Sequence, residues 1–160
     1  MTRDETTLEW SIREKNLLVE LLVNGLIALY YLPKLFWLLQ RGDEALRGGA
    51  MVNLIIGVVM MAIFARIVLA MFLHAKQDPE PMDERDLQIE RRGNVLFGNV
   101  LQICVLVVIC TTAAQQMAWG NNLPVPILTP LAIANVLLVS LMMAGIAREA
   151  MMVVLYRRGV

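Results

Sequence analysis

Four ionisable side chains lie inside long apolar stretches of this sequence: Glu20, Arg66, Arg148 and Glu149. A charge within a membrane-crossing stretch is costly, so such groups face a protein interior or water and pair with one another. At a rise of 1.5 Å per residue, Glu20 lies about 5 Å inside its stretch, and Arg66 lies about 12 Å before His74. Arg148 has the matching depth, and an arginine side chain can extend toward the membrane edge. We therefore predict an ion pair between Glu20 and either Arg66 or Arg148.

The two arginines allow two interpretations. In the first, they extend toward cytoplasmic phosphates or pair with a carboxylate. In the second, Arg66 and Arg148 form a two-fold pair of cationic groups that binds an anionic ligand, such as a lipid head group or a carboxylate. Glu149 would neutralise one of the two arginines, which weakens the second interpretation.

Polar or small residues recur at every fourth position in two of the apolar stretches, and residues spaced by four share one helix face. The two stripes are Asn16, Glu20 and Asn24, and Asn94, Gly98 and Gln102. We expect both stripes to face the protein interior, where Gly98 either leaves room for Glu20 or allows close helix packing. For these stripes we favour helix-packing contacts over a path for a substrate.

Residues that build common catalytic or metal sites are sparse. Cys104 and Cys110 lie six residues apart without a Cys-x-x-Cys motif, and we interpret them as free thiols buried in lipid. His74 is the single histidine, which excludes a bis-histidine haem within one chain. The sequence has no P-loop, nucleophile elbow, His-Glu-x-x-His motif or zinc-ligand cluster. We therefore predict a protein that is not an enzyme and holds no cofactor or metal.

The elements that must position these residues are membrane-spanning helices. Of the 160 residues, 58% are hydrophobic, whereas soluble domains contain about 45–50% apolar residues. About 20 apolar residues cross a bilayer as a helix, and four stretches qualify, at about 17–39, 51–73, 95–117 and 129–155. Only helices and closed barrels satisfy the backbone in lipid, so we predict an all-α membrane protein with four transmembrane helices.

Signals at the helix ends refine this prediction. Pro79 and Pro81 end the preceding structure and Asp83 can cap, so the third helix should begin near Glu84. The N-terminal segment, with Leu8 and Ile12 four residues apart, is predicted to form a short amphipathic helix at the interface. The first fifteen residues are charged rather than apolar, so we expect no cleavable signal peptide.

Orientation follows from the lysine and arginine residues, which are enriched on the cytoplasmic side. Nine of them fall on the side of the two termini and the second connection: Arg3, Arg13, Lys15, Lys76, Arg85, Arg91, Arg92, Arg157 and Arg158. The opposite side has Arg41 and Arg47, with Lys34 near a helix end. Both termini are therefore predicted to be cytoplasmic. The aromatic residues expected to anchor the outer side are Tyr30, Tyr31, Trp37 and Trp119.

An internal duplication organises the chain. Asn53–Arg66 aligns with Asn135–Arg148 without a gap, and six of fourteen positions match, including the terminal Asn and Arg. Asn16–Asn24 likewise aligns with Asn94–Gln102. We predict two repeats, 1–77 and 78–160, each an acidic leading segment plus a two-helix hairpin. We expect both repeats to insert into the membrane in the same orientation and to be related by a pseudo-two-fold axis along the membrane normal. The alternative is that the similarity reflects only the common chemistry of membrane hairpins.

The segment MDERDLQIERRGN resembles one found in small bacterial four-span integral membrane proteins of uncharacterised function. The resemblance lies in an Asp-Glu-Arg segment followed by Ile and a basic pair before a span. It implies a location in the bacterial inner membrane and carries no activity with it.

Two classes of function remain. The first is a non-catalytic accessory, scaffold or regulatory protein that associates with itself or with a larger membrane complex. The second is a small transporter or channel with an inner-leaflet polar site for an anionic ligand or lipid head group. The 14 basic and 14 acidic residues balance, and no separate basic patch stands out, so we expect the lipid bilayer and not nucleic acid as a partner.

Overall fold

The structure, a computed structural model, describes residues 12–41, 49–74, 83–121 and 129–158. They form four helices: α1 (Ile12–Gln40), α2 (Gly49–His74), α3 (Glu84–Asn121) and α4 (Pro130–Arg158). All four are long and apolar enough to cross a membrane. The predicted all-α, multi-pass architecture is therefore confirmed. The predicted amphipathic helix near Leu8 and the leading segment of the first repeat lie mostly or wholly outside the described residues.

The third helix begins where its capping signals predict. The side chain of Asp83 accepts a hydrogen bond from the Glu84 N–H at 2.7 Å, and the Asp86 carboxylate accepts one from the Asp83 N–H at 3.4 Å. The Asp86 carboxylate thus accepts a hydrogen bond from the backbone of the cap residue, as in a capping box. With 38 residues, α3 is about 57 Å long. It exceeds the hydrocarbon thickness, so its first turns extend outside the acyl region.

Helix α4 is the centre of the bundle, since it packs against each of the other three helices. Helix α1 lies between α2 and α4, whereas α3 packs along α4 and also meets α1 through the ion pair of Arg13 with Asp86. Three contacts follow one another along α1 and α4 in opposite directions: Glu14 with Arg157, Asn24 with Glu149, and Tyr31 with Asn135. These two helices are therefore antiparallel.

The contacts do not follow the predicted two-fold symmetry, which would exchange α1 with α3 and α2 with α4. The interface of α1 with α4 would then have a counterpart between α2 and α3, but the backbones of these two helices do not approach each other in the described part of the chain. The repeat markers also differ, since Asn135 is buried and Asn53 is exposed. The duplication and the division at residue 77 remain predictions.

A cluster of buried side chains joins α1, α2 and α4 around Tyr31, which is 0% exposed. Its hydroxyl donates a hydrogen bond to the Asn135 Oδ1, and the Asn135 Nδ2 donates to the Leu131 carbonyl at 2.7 Å. The prediction that Tyr31 anchors the outer membrane surface is therefore wrong. Consecutive residues leave a helix about 100° apart, so Tyr31 faces the bundle while Tyr30 is exposed.

Two of the remaining predicted anchors are exposed as expected. Tyr30 is 45% exposed with the Lys34 ammonium 3.8 Å from its ring centre, and Trp37 is 51% exposed with the Arg41 guanidinium 3.4 Å from its ring centre. Such cation–π contacts suit a membrane interface, where one end of the side chain is wet. The side chain of Trp119 lies outside the part of the chain that the structure describes.

Candidate functional site

The most deeply enclosed carboxylate among the described residues is that of Glu149, which is 2% exposed. The Asn24 side-chain amide donates a hydrogen bond to its Oε1. Its second oxygen, Oε2, has no hydrogen-bond partner among the described residues. A buried carboxylate oxygen without a donor is costly, and more so where no bulk water reaches. The arrangement therefore has an unfilled position for a hydrogen-bond donor.

Glu149 lines a cavity of about 190 Å³ between α1, α2 and α4. The other lining residues are Glu20, Val23, Asn24, Arg66, Leu69 and Ala70. We call this space the polar cavity. It brings together four of the residues predicted to form an intramembrane cluster, with two carboxylates, one guanidinium and one amide.

The predicted ion pair of Glu20 is not formed. Within the described residues, Glu20 has no basic group within 4.0 Å of its carboxylate, although it shares the polar cavity with Arg66. Arg148 instead donates from Nε to the Asn94 Oδ1 at 2.8 Å. Arg148 and Glu149 are consecutive, so their side chains leave α4 about 100° apart. One is therefore directed toward α3 and the other toward α1.

The polar stripe of α3 does not face the interior, contrary to prediction. Asn94, Gly98 and Gln102 are all exposed on the outside of the bundle. Gly98 is not needed to make room for Glu20, because the backbones of α3 and α1 do not approach each other in the described part of the chain. The stripe of α1 is half-buried, and its residues Glu20 and Asn24 reach the polar cavity while Asn16 does not line it.

A second cavity of about 360 Å³ lies between α2 and α3, over the face of α4. Its lining is mostly apolar and comes from all four helices, with Ile27, Val58, Phe97 and Leu138 among the residues. We call it the apolar groove. Asn24 and Arg66 line both the groove and the polar cavity, so the two spaces adjoin. The groove exists because α2 and α3 do not close against each other.

A polar network joins the helix ends on the side of the termini, and the sequence did not reveal it. Arg13 pairs with the Asp86 carboxylate, which also accepts a hydrogen bond from the Tyr156 hydroxyl at 2.8 Å. The Arg85 guanidinium donates to the Tyr156 carbonyl at 3.1 Å. The network connects α1, α3 and α4. These residues are far apart in the chain, and only the fold brings them together.

Replacing Asp86 with alanine should lower the free energy of unfolding by about 1 kcal/mol, because two side chains and the Asp83 N–H lose their acceptor at a partly exposed site. Unfolding in mixed micelles with increasing dodecyl sulfate would measure the loss. Glu84→Ala is the control, since it removes an acidic residue from the same first turn and leaves the network intact. Equal losses in both variants would show that only the helix dipole is involved.

Among the described residues, no set of three or more His, Cys, Asp or Glu side chains is placed to hold a metal ion. Cys104 and Cys110 are both free thiols, and Cys110 is exposed rather than buried in the bundle. Comparisons with protein-family models, with curated proteins and with solved structures each found no match.

Proposed function

We propose that this chain is a non-catalytic scaffold protein of the bacterial inner membrane, with both termini cytoplasmic, and that it assembles laterally through α3. The observation that carries the proposal is an outward-facing glycine flanked by carboxamides within the span of α3. We call the corresponding surface the α3 outer face. It consists of Val95, Gly98, Asn99, Gln102, Leu106 and Ile109, all of them exposed.

Gly98 has no packing role within the chain. A Cβ built on it would meet nothing within 4 Å. Glycine inside a helix costs about 0.5–1 kcal/mol relative to alanine. Small residues on a membrane helix let a second backbone approach closely. Contact with a helix from outside the chain accounts for Gly98, whereas the packing within the chain does not.

The carboxamides beside this glycine supply the second argument. Asn99 and Gln102 are exposed, and their side chains have no hydrogen-bond partner in the described part of the chain. In the acyl region a carboxamide gains most from a partner on another helix. A carboxamide has both donors and acceptors, so identical faces can satisfy each other. A second copy of this chain is therefore the partner we propose, related by a two-fold axis.

The arrangement of the termini supports the proposed orientation. The start of α1 and the end of α4 lie together, where Glu14 and Arg157 approach to 3.7 Å. The basic residues Arg85, Arg91 and Arg92 belong to the same end of the bundle, through the contact of Arg85 with Tyr156. An excess of basic residues at one end is typical of the cytoplasmic side.

Transport of an anion has less support from the geometry. The two arginines that would bind an anion are separated, because Arg148 is directed to Asn94 and does not line the polar cavity. Arg66 shares that cavity with Glu20 and Glu149. An anionic cargo would therefore meet two carboxylates.

Replacing Gly98 with leucine should weaken self-association in liposomes at least tenfold, because the added side chain separates the two backbones. Energy transfer between labelled copies, measured while lipid is added to dilute them, would report the change. Val107→Leu is the control: it lies nine residues, or about 180°, around the helix from Gly98 and is 55% exposed.

Cross-linking provides a second measurement of the same contact. In a Cys104→Ala, Cys110→Ala background, Gly98→Cys should form a disulfide between two copies, and Val107→Cys should not. A chain that stays monomeric at high density, or that cross-links equally at both positions, would contradict the proposed interface.

A further inference from the structure

The polar cavity and the apolar groove together have the chemistry of a lipid-binding site, with charges at one end and an apolar channel at the other. We propose that they bind an aminophospholipid, whose head group carries a primary ammonium beside a phosphate. The ammonium lies with Glu20 and Glu149, the phosphate with Arg66, and one acyl chain in the apolar groove. This site is separate from the α3 outer face.

The unpartnered oxygen of Glu149 defines what the head group must supply. This residue is 98% enclosed, and only Oε1 receives a donor, from Asn24. A primary ammonium has three N–H donors, whereas a trimethylated ammonium has none. A charge-assisted hydrogen bond to a carboxylate is about twice as strong as a neutral one. The site therefore favours the primary amine over its methylated form.

The charges in the polar cavity fit a zwitterion. Glu20 and Glu149 bring two negative charges and Arg66 brings one positive charge. Arg148 has its Nε bonded to Asn94 and does not line the cavity. The cavity therefore offers carboxylates to an ammonium on its acidic side, while its guanidinium suits a phosphate oxygen. A purely anionic lipid would leave the carboxylates unpaired.

The volume and location of the two spaces fit a lipid. At about 30 Å³ per water, the polar cavity holds about six waters or a small head group. The apolar groove is nearly twice as large, and it adjoins the polar cavity at Asn24 and Arg66. Its rim includes Ile63 and Leu141, which are 50% and 48% exposed to the surrounding acyl chains. An acyl chain can enter from the bilayer without crossing a polar surface.

Native mass spectrometry of the purified full chain tests this assignment with lipids that have identical acyl chains. Phosphatidylethanolamine should bind at least tenfold more tightly than phosphatidylcholine and phosphatidylglycerol. Glu149→Gln and Arg66→Gln should each weaken phosphatidylethanolamine binding at least fivefold. Glu90→Gln is the control for charge, because this carboxylate lies on α3 and does not line either space.

A steric variant keeps the test independent of the charged residues. Gly145 lines the apolar groove, and a Cβ there would meet nothing within 4 Å, so Gly145→Leu should fill the groove without disturbing the helices. It should reduce phosphatidylethanolamine binding as much as Glu149→Gln does. Gly57→Leu is the matched control, since Gly57 is also unobstructed and lies outside the groove.

Three results would overturn the proposal. The first is equal binding of phosphatidylethanolamine and phosphatidylcholine, and the second is unchanged binding in Gly145→Leu. The third is binding of dodecylamine as tight as that of the phospholipid and insensitive to Arg66→Gln. That result would assign the site to free apolar amines rather than to a membrane lipid.

Discussion

Replacing Tyr31 with alanine is expected to lower the free energy of unfolding by about 3 kcal/mol, the lower end of the range for a buried aromatic residue. Tyr31 is 0% exposed and lies where α1, α2 and α4 meet. Lipid is as apolar as the bundle interior, so the loss arises from packing rather than from exposure to water. Asn135 also loses the hydroxyl that donates to its side-chain oxygen.

The neighbouring tyrosine makes a matched control, and a second variant separates packing from hydrogen bonding. Tyr30 is 45% exposed, so Tyr30→Ala should change stability by less than about 0.5 kcal/mol. Tyr31→Phe keeps the ring and should cost about 1 kcal/mol for the lost hydrogen bond. Unfolding with dodecyl sulfate in mixed micelles measures all three. Similar losses for Tyr30→Ala and Tyr31→Ala would show that α1 is rotated from the orientation described.

The second large effect is expected for Gly93→Leu, which should destabilise the chain by about 3 kcal/mol through overpacking. Gly93 is buried, and a Cβ on it would lie 2.7 Å from the Met152 Cγ and 2.9 Å from its Sδ. The Arg148 Cγ would be 3.4 Å away. Leucine would therefore push α3 away from α4, the only helix whose backbone approaches that of α3 among the described residues.

Gly57→Leu is the control for this prediction, because the same substitution there meets no atom within 4 Å and lies outside the α3 outer face. Both variants gain about 0.8 kcal/mol of helix propensity, so their difference isolates the packing at Gly93. Reduced protease resistance in Gly93→Leu, with Gly57→Leu unchanged, is the expected pattern. If Gly93→Leu proves as resistant as the unmodified chain, then α3 and α4 are not in contact at that level.

The sequence correctly predicted part of the candidate site. Glu20, Asn24, Arg66 and Glu149 do line one cavity. The direct pairing failed because the sequence gives depths along each helix but not the rotation of each helix about its axis. Arg148 illustrates this: it has the depth predicted from the alignment, yet its side chain is directed to Asn94 on α3.

The alignment of the repeats likewise predicted the lengths and directions of the helices. It did not predict that matched residues have different surroundings. Asn94 bonds to Arg148, whereas the corresponding Asn16 and Arg66 form no such hydrogen bond among the described residues. The two hairpins also have different neighbours, because the backbones of α2 and α3 do not approach each other within the described ranges.

By itself the sequence determined four membrane-crossing helices and the start of α3. Uninterrupted apolar length and the need to satisfy every backbone polar group in lipid leave few other structures, and Asp83 supplies a local cap. Only the tertiary structure decided which face of each helix is inside. In water an apolar face turns inward, but in a bilayer both the interior and the surroundings are apolar. The rotation of each helix therefore depends on side-chain packing and on a few polar contacts, such as those of Tyr31 and Glu149, which link residues more than a hundred positions apart.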